Sequence, residues 1–134
     1  MDNQIEMLEH RDLGYKTLVS FDKWRVAFMN EGPKTTVDGL TYFQKHDETD
    51  EVFILLGGRC VLLLAGFGDT PGEITAVDMK PNVMYNVKKS AWHTHVFFDN
   101  TTVAIVENAD TSLDNSPISD ITEKQREIIR ELCK

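Results

Sequence analysis

Three of the four histidines occupy places where strand geometry can bring them together: His46, and the pair His93 and His95. Side chains on a strand repeat their face every second residue, so Ala91, His93, His95 and Phe97 share one face while Trp92, Thr94, Val96 and Phe98 share the other. Tyr42, Gln44 and His46 likewise share a face. Glu51 follows His46 by five residues, across the acidic turn Asp47-Glu48-Thr49-Asp50, where its carboxylate can turn back toward the imidazole. Imidazole, carboxylate and amide oxygen form the donor mixture that suits Zn, Mn, Fe or Ni, provided the two strand pairs lie side by side. The competing reading is structural: half-buried strand histidines with ordinary hydrogen bonds, and Glu51 as a turn acid accepting backbone N–H groups. Two histidines on one face favour a site.

The elements that must position these groups are short strands. Segments rich in Val, Phe, Tyr, Leu and Thr recur at close spacing: 15–21, 24–29, 40–46, 51–56, 60–65, 74–79, 83–87, 91–98 and 102–107. Turn residues stand between them, at Gly57-Gly58, Gly66 to Gly72, Pro81-Asn82 and Asp99-Asn100, and this rhythm predicts an all-β sandwich or barrel. Gly66-Phe67-Gly68-Asp69-Thr70-Pro71-Gly72 lacks the Gly-Lys-Ser/Thr ending of a phosphate loop and reads as a hairpin connection. Thr122-Glu123-Lys124-Gln125 has capping-box spacing, which predicts a helix over about 122–133 with Ile121, Ile128, Ile129 and Leu132 on one stripe. Residues 1–14 are ambiguous between a short helix and an arm across a neighbour.

Composition narrows the function classes. A 134-residue chain with 41% hydrophobic and 27% charged residues reads as one globular domain. Fourteen Lys and Arg against 22 Asp and Glu give a net charge of −8, and the basic residues do not cluster, so nucleic acid and anionic membrane surfaces are not expected partners. The longest nearly apolar stretch is broken by Gly57, Gly58 and Arg59, which excludes a membrane-spanning helix. Cys60 and Cys133 have no CxxC partner and read as free thiols; with no basic, apolar leader, a cytoplasmic location is expected.

The stretch His46-Asp47-Glu48-Thr49-Asp50-Glu51 to Gly57-Gly58 resembles the first cupin motif, in which a His-x-His pair precedes Glu and a Gly follows seven residues later. His46 matches the second histidine, and Gln44 stands where the first is expected. Val87 to His93 aligns with the second motif by its final histidine, Lys88 and Ser90 replacing the usual Pro and Gly. The resemblance covers about residues 40–107. It implies a single-domain jelly-roll antiparallel β-barrel, and a metal held by Gln44, His46, Glu51 and His93. A narrower resemblance, carried by 51–59, 74–77, 83–87 and Trp92-His93, is to ureidoglycolate lyase, which releases urea from ureidoglycolate to give glyoxylate. It implies His93 and His95 as an acid–base pair.

Together these expectations describe one cupin domain over 1–134 with a C-terminal helix. Its mouth would hold a small polar carboxylate or sugar-like metabolite among Tyr42, Gln44, Phe53 and Trp92, beside a divalent metal. A lyase or isomerase is the leading reading, and a metal-free metabolite-binding module the second. A homodimer is expected, with the N-terminal arm and C-terminal helix as contacts.

Overall fold

The computed structural model describes residues 4–134. Its strands are β1 (Gly14–Phe21), β2 (Trp24–Asn30), β3 (Tyr42–Gln44), β4 (Glu51–Leu64), β5 (Thr75–Asp78), β6 (Met84–Val87), β7 (His93–Asn108) and β8 (Ile118–Asp120), followed by helix α1 (Glu123–Leu132). All pairings are antiparallel. The pairing path runs β1-β2-β7-β3-β8, with β4 on the other side of β7 and β5 and β6 on the far edge of β4. It does not close on itself among the described residues, so the fold is an open sheet folded over.

The sequence reading places turns at Gly57-Gly58 and Asp99-Asn100, dividing four short strands. The structure instead runs β4 and β7 through both places as single strands of 14 and 16 residues that bend together. The ladder slips between Leu55 and Arg59. Gly58 takes φ +81°, and Asp99 and Asn100 take φ 60° and 57°, values these residue types tolerate best. Thr101 restores the lost ladder bonds: its Oγ1 accepts from the Arg59 N–H at 2.8 Å and donates to the Arg59 carbonyl at 2.7 Å. Beyond the bend, the two halves of each long strand belong to different half-sheets: β1-β2-β7-β4-β6 on one side and β5-β4-β7-β3-β8 on the other.

The interior between the halves takes Phe53 and Leu55 from one side of the bend and Cys60, Leu62 and Phe97 from the other. A second cluster lies on the outer face of the β3-β8 half, where Val61, Leu63 and Val96 meet Ile129 and Cys133 of the tail. Helix α1 begins at the expected cap: Thr122 Oγ1 accepts from Gln125 N at 3.1 Å, and Gln125 Oε1 accepts from Thr122 N at 2.9 Å. Its buried stripe differs from the expected one. Ile121, Ile129 and Cys133 pack, while Ile128 and Leu132 each stay 39% exposed, because only one side of this short helix meets the sheet. Strand β8 lies in a stretch whose polar look before Pro117 hid it. Residues 5–13 form no helix, and the first three residues of the ambiguous segment lie outside the described residues. No described helix is long and apolar enough to cross a membrane.

The bend yields a stability prediction. A Cβ on Gly58 would sit 2.6 Å from Thr101 Cα, at a φ that alanine dislikes, whereas one on Gly57 meets nothing within 4 Å. Gly58→Ala is expected to cost about 2–4 kcal/mol and Gly57→Ala under about 1 kcal/mol, read from urea denaturation midpoints.

Candidate metal and acid–base site

The site assembles where two turns dock on one another. Lys45 N donates to the Pro117 carbonyl and Asp47 N to the Asn115 carbonyl, which pins the exit of β3 to the 115–117 segment. Ser90 N donates to the His46 carbonyl at 2.8 Å, and Ser90 Oγ donates to Asp47 Oδ1 at 2.8 Å. Lys89 N donates to Asp50 Oδ1 at 2.7 Å, and this bond with that of the Asn86 amide holds the Asp50 carboxyl below its ordinary range. The acidic turn is therefore the dock that sets His46 beside the start of β7.

His46, Glu51 and His93 are all buried, and their donor atoms lie within 4.8 Å of one another. Both imidazole Nε2 atoms converge on one oxygen, Glu51 Oε1, at 3.2 Å from His46 and 2.9 Å from His93. The other ring nitrogens are occupied. His93 Nδ1 donates to the Ala91 carbonyl at 3.0 Å. His46 Nδ1 lies 2.7 Å from Ser116 Oγ, whose own proton goes to Asn115 Oδ1. Asn115 Nδ2 donates to the Asp110 carbonyl, which fixes the amide so that Oδ1 is the acceptor. Ser116 must then accept from His46 Nδ1–H.

This chain of donors tests the fit to a metal. With Nδ1 protonated on both rings, each Nε2 faces a carboxylate oxygen with a lone pair, which is favourable only if each ring takes a second proton or a cation sits between them. Two imidazoles, each oriented by an outer hydrogen bond, and a carboxylate suit a divalent transition metal. Burial works against the Glu51 charge, but hydrogen bonds from His46 and His93 outweigh it and hold its pKa well below the usual carboxylate range. Burial also disfavours a charged His93, and the Glu51 bond and charge reverse this, raising its pKa above that of a free imidazole.

A cavity of about 380 Å³ opens beside this group. Tyr42, Gln44, Phe53 and His95 line it, as the strand alternation requires. Trp92 does not. It precedes His93 by one residue, so it faces the other side of the sheet, 2% exposed, with Nε1 donating to the Gly68 carbonyl at 2.8 Å. Its part is to hold the Gly66–Gly72 loop, and the placement against a ligand expected from sequence is corrected. His95 has no partner for its buried Nδ1 among the described residues, and burial pushes its pKa down to about 4.

Three pocket residues escaped the sequence reading. Glu107 is buried on β7, with Oε1 accepting from Tyr15 Oη at 2.9 Å and Arg25 Nη2 at 2.8 Å. Its Oε2 has no hydrogen-bond partner among the described residues and lies 3.9 Å from His46 Nε2. Burial and the Glu51 charge push Glu107 up to about 7, and burial with the Glu107 charge pushes Tyr15 up to about 12. One signal was available: Glu107 is the single acid in the apolar run from Val103 and falls on the same face as Val103 and Ile105.

No family model matches this chain, and no curated protein matches it. Among solved structures it is similar to capsular polysaccharide assembling protein CapF from Staphylococcus aureus, with TM-score 0.65 and 14% identity over 90% of this chain and 33% of that one. It is similar to Streptomyces Pac13, a nucleoside dehydratase, with TM-score 0.57 and 10% identity over 87% and 88% of the two chains. A cupin-2 domain containing protein from Shewanella frigidimarina gives TM-score 0.51 and 18% identity over 75% and 84%. These likenesses give the chain a cupin-like fold.

Metal analysis by inductively coupled plasma mass spectrometry, on protein purified without tag or chelator, should find near-stoichiometric Mn, Fe, Ni or Zn. His46→Ala and His93→Ala should each lose most of it. Trp92→Phe should keep the ion and cost about 1–2 kcal/mol of stability through the lost Gly68 bond and smaller ring.

Proposed function

We propose that this protein is a metal-assisted lyase acting on a small polar hydroxy acid or sugar-like metabolite bound beside His46, Glu51 and His93. The observation that carries the reading is the convergence of two Nδ1-protonated imidazoles on one buried carboxylate oxygen, next to a cavity with two unpartnered polar atoms, His95 Nδ1 and Glu107 Oε2. A divalent ion there would polarise a substrate oxygen and stabilise the negative charge that develops on it. The likeness in fold to a nucleoside dehydratase is compatible with elimination chemistry, and the sequence resemblance makes ureidoglycolate the first substrate to test.

The protein's own groups then divide the work. His93 has both ring nitrogens engaged, so proton transfer falls to His95 and Glu107 instead of a His93–His95 pair. The His95 imidazole, which lines the cavity, is the base: it takes the substrate hydroxyl proton, the C–O bond becomes a carbonyl, and the neighbouring C–N bond breaks. The leaving nitrogen receives a proton from the Glu107 side, where Tyr15 and Arg25 hold the carboxyl in place through Oε1. Phe53 lies edge-on to His93 and tilted against His95, centroids 6.2 Å and 5.8 Å away, and keeps both rings in position.

The test is turnover of ureidoglycolate, followed by glyoxylate and urea release, with the metal found in the purified protein. His95→Ala is expected to lower kcat about 10²–10⁴-fold while metal content and circular dichroism stay unchanged. A ligand that raises Tm without turnover would assign the pocket to binding. Turnover unaffected in His95→Ala would remove the proposed base.

A further inference from the structure

The two outer faces of the folded sheet are covered differently. On the β3-β8 half, α1 and Ile121 lie over Val61, Leu63 and Val96. On the β1-β2-β7-β4-β6 half, no helix among the described residues lies over the outward side chains, and the N-terminal arm reaches that side at Asn30. Register identifies them. Val26 of β2, Val106 of β7 and Val52 of β4 form one cross-strand row, and Phe28, Ala104 and Ile54 form the next. A sheet face open to water carries polar residues at alternate positions; these rows are apolar across all three central strands, as in a sheet covered on both sides. Around them, Phe21 is 68% exposed, Trp24 43%, Leu56 51% and Met84 73%. Charge enters at the margins, through Lys16 opposite Phe28 and through Asp50 and Lys88 beside Asn86.

We propose that this face is covered by the same face of a second copy, related by a two-fold axis. Three observations favour a copy of this chain over another occupant. The centre of the face carries no charge, so two chains of net charge −8 can meet there without opposing like charges, while a charged partner would find no complementary group. Five strands of up to seven residues span about 24 by 23 Å, a footprint of roughly 550 Å² per copy; with the relief of the side chains this is comparable to the roughly 800 Å² per partner of a stable pair. Two identical twisted sheets also pack aligned, and the contact closes on itself as a dimer.

The N-terminal arm extends this surface. Asn30, on the same outward side, holds the arm by donating to the His10 and Asp12 carbonyls at 3.0 and 2.8 Å. Beyond that anchor Ile5 and Met7 are 61% and 79% exposed, and the margin of a second copy would seat them. Helix α1, expected from sequence to share the contact, is engaged by its own sheet.

Sedimentation velocity at tens of micromolar should give twice the 15.3 kDa chain mass. Ile54→Lys, at the centre, should return the single-chain mass with an unchanged circular-dichroism spectrum. Met84→Lys replaces a side chain already in water and cannot cost folding, so it serves if Ile54→Lys unfolds; it should weaken association at least tenfold. A monomeric wild type overturns the proposal, as does a dimer that both variants leave intact. Recovery of the wild type on neutral phosphatidylcholine vesicles, abolished by Ile54→Lys, would overturn it in favour of a lipid surface.

Discussion

The long pairing of β4 with β7 is the constraint on which everything else depends. Glu51 begins β4, and Leu64, thirteen residues later, lies opposite His93. In a straight strand that separation would be about 43 Å. In the folded protein Glu51 Oε1 is 2.9 Å from His93 Nε2. The whole distance is closed by the shared bend at Gly58 and Thr101, which turns one ladder into two facing halves. The interior, the cavity and the convergence of ligands are consequences of that fold-over.

Closing the sheet in this way places ionisable groups where water is scarce, and the arrangement compensates in two ways. Glu51 meets two imidazoles, and Glu107 meets Arg25 and Tyr15, so each buried acid has donors on at least one oxygen. The acids themselves lie close enough to oppose one another, which raises Glu107 while Glu51 stays low. Neighbouring carboxyls with divergent proton affinity are a common arrangement in acid–base sites. The cost of burial is not fully compensated here: Glu107 Oε2 and His95 Nδ1 remain unpartnered, and both groups face the cavity.

Much of this arrangement was legible in the residues, for identifiable reasons. Alternation placed His93 with His95 and Tyr42 with Gln44, because strand periodicity is local and survives any topology. The same rule puts Trp92 on the face opposite His93, and the structure follows the rule and not the expectation of a ligand against its ring. Gly57-Gly58 reads as a turn in sequence because glycine pairs mark both turns and bulges, and only the partner strand decides between them. Ser116, Arg25 and Tyr15 reach the site through pairings 70 to 92 residues apart, which no local pattern encodes.

The same strands carry a second pattern, hidden beneath the first. On β2, β4 and β7, inward positions hold Arg25, Glu51, Phe53 and Glu107, and outward positions hold Val26, Val52, Ile54 and Val106. The site's polar groups therefore point inward among Ala27, Leu55, Val103 and Ile105, and the central outward positions are apolar as well, unlike those of a water-facing sheet. An inner polar cluster needs a rigid frame, since a shift of about an ångström in either Glu would separate donors now within hydrogen-bond reach. Three central strands that are apolar on their outer face supply that frame once the face is covered, because the covering layer removes water that would otherwise compete for the ladder bonds beneath it. The requirement for a second layer and the requirement for a fixed site thus fall on the same half of the sheet, while the other half meets its own requirement with α1.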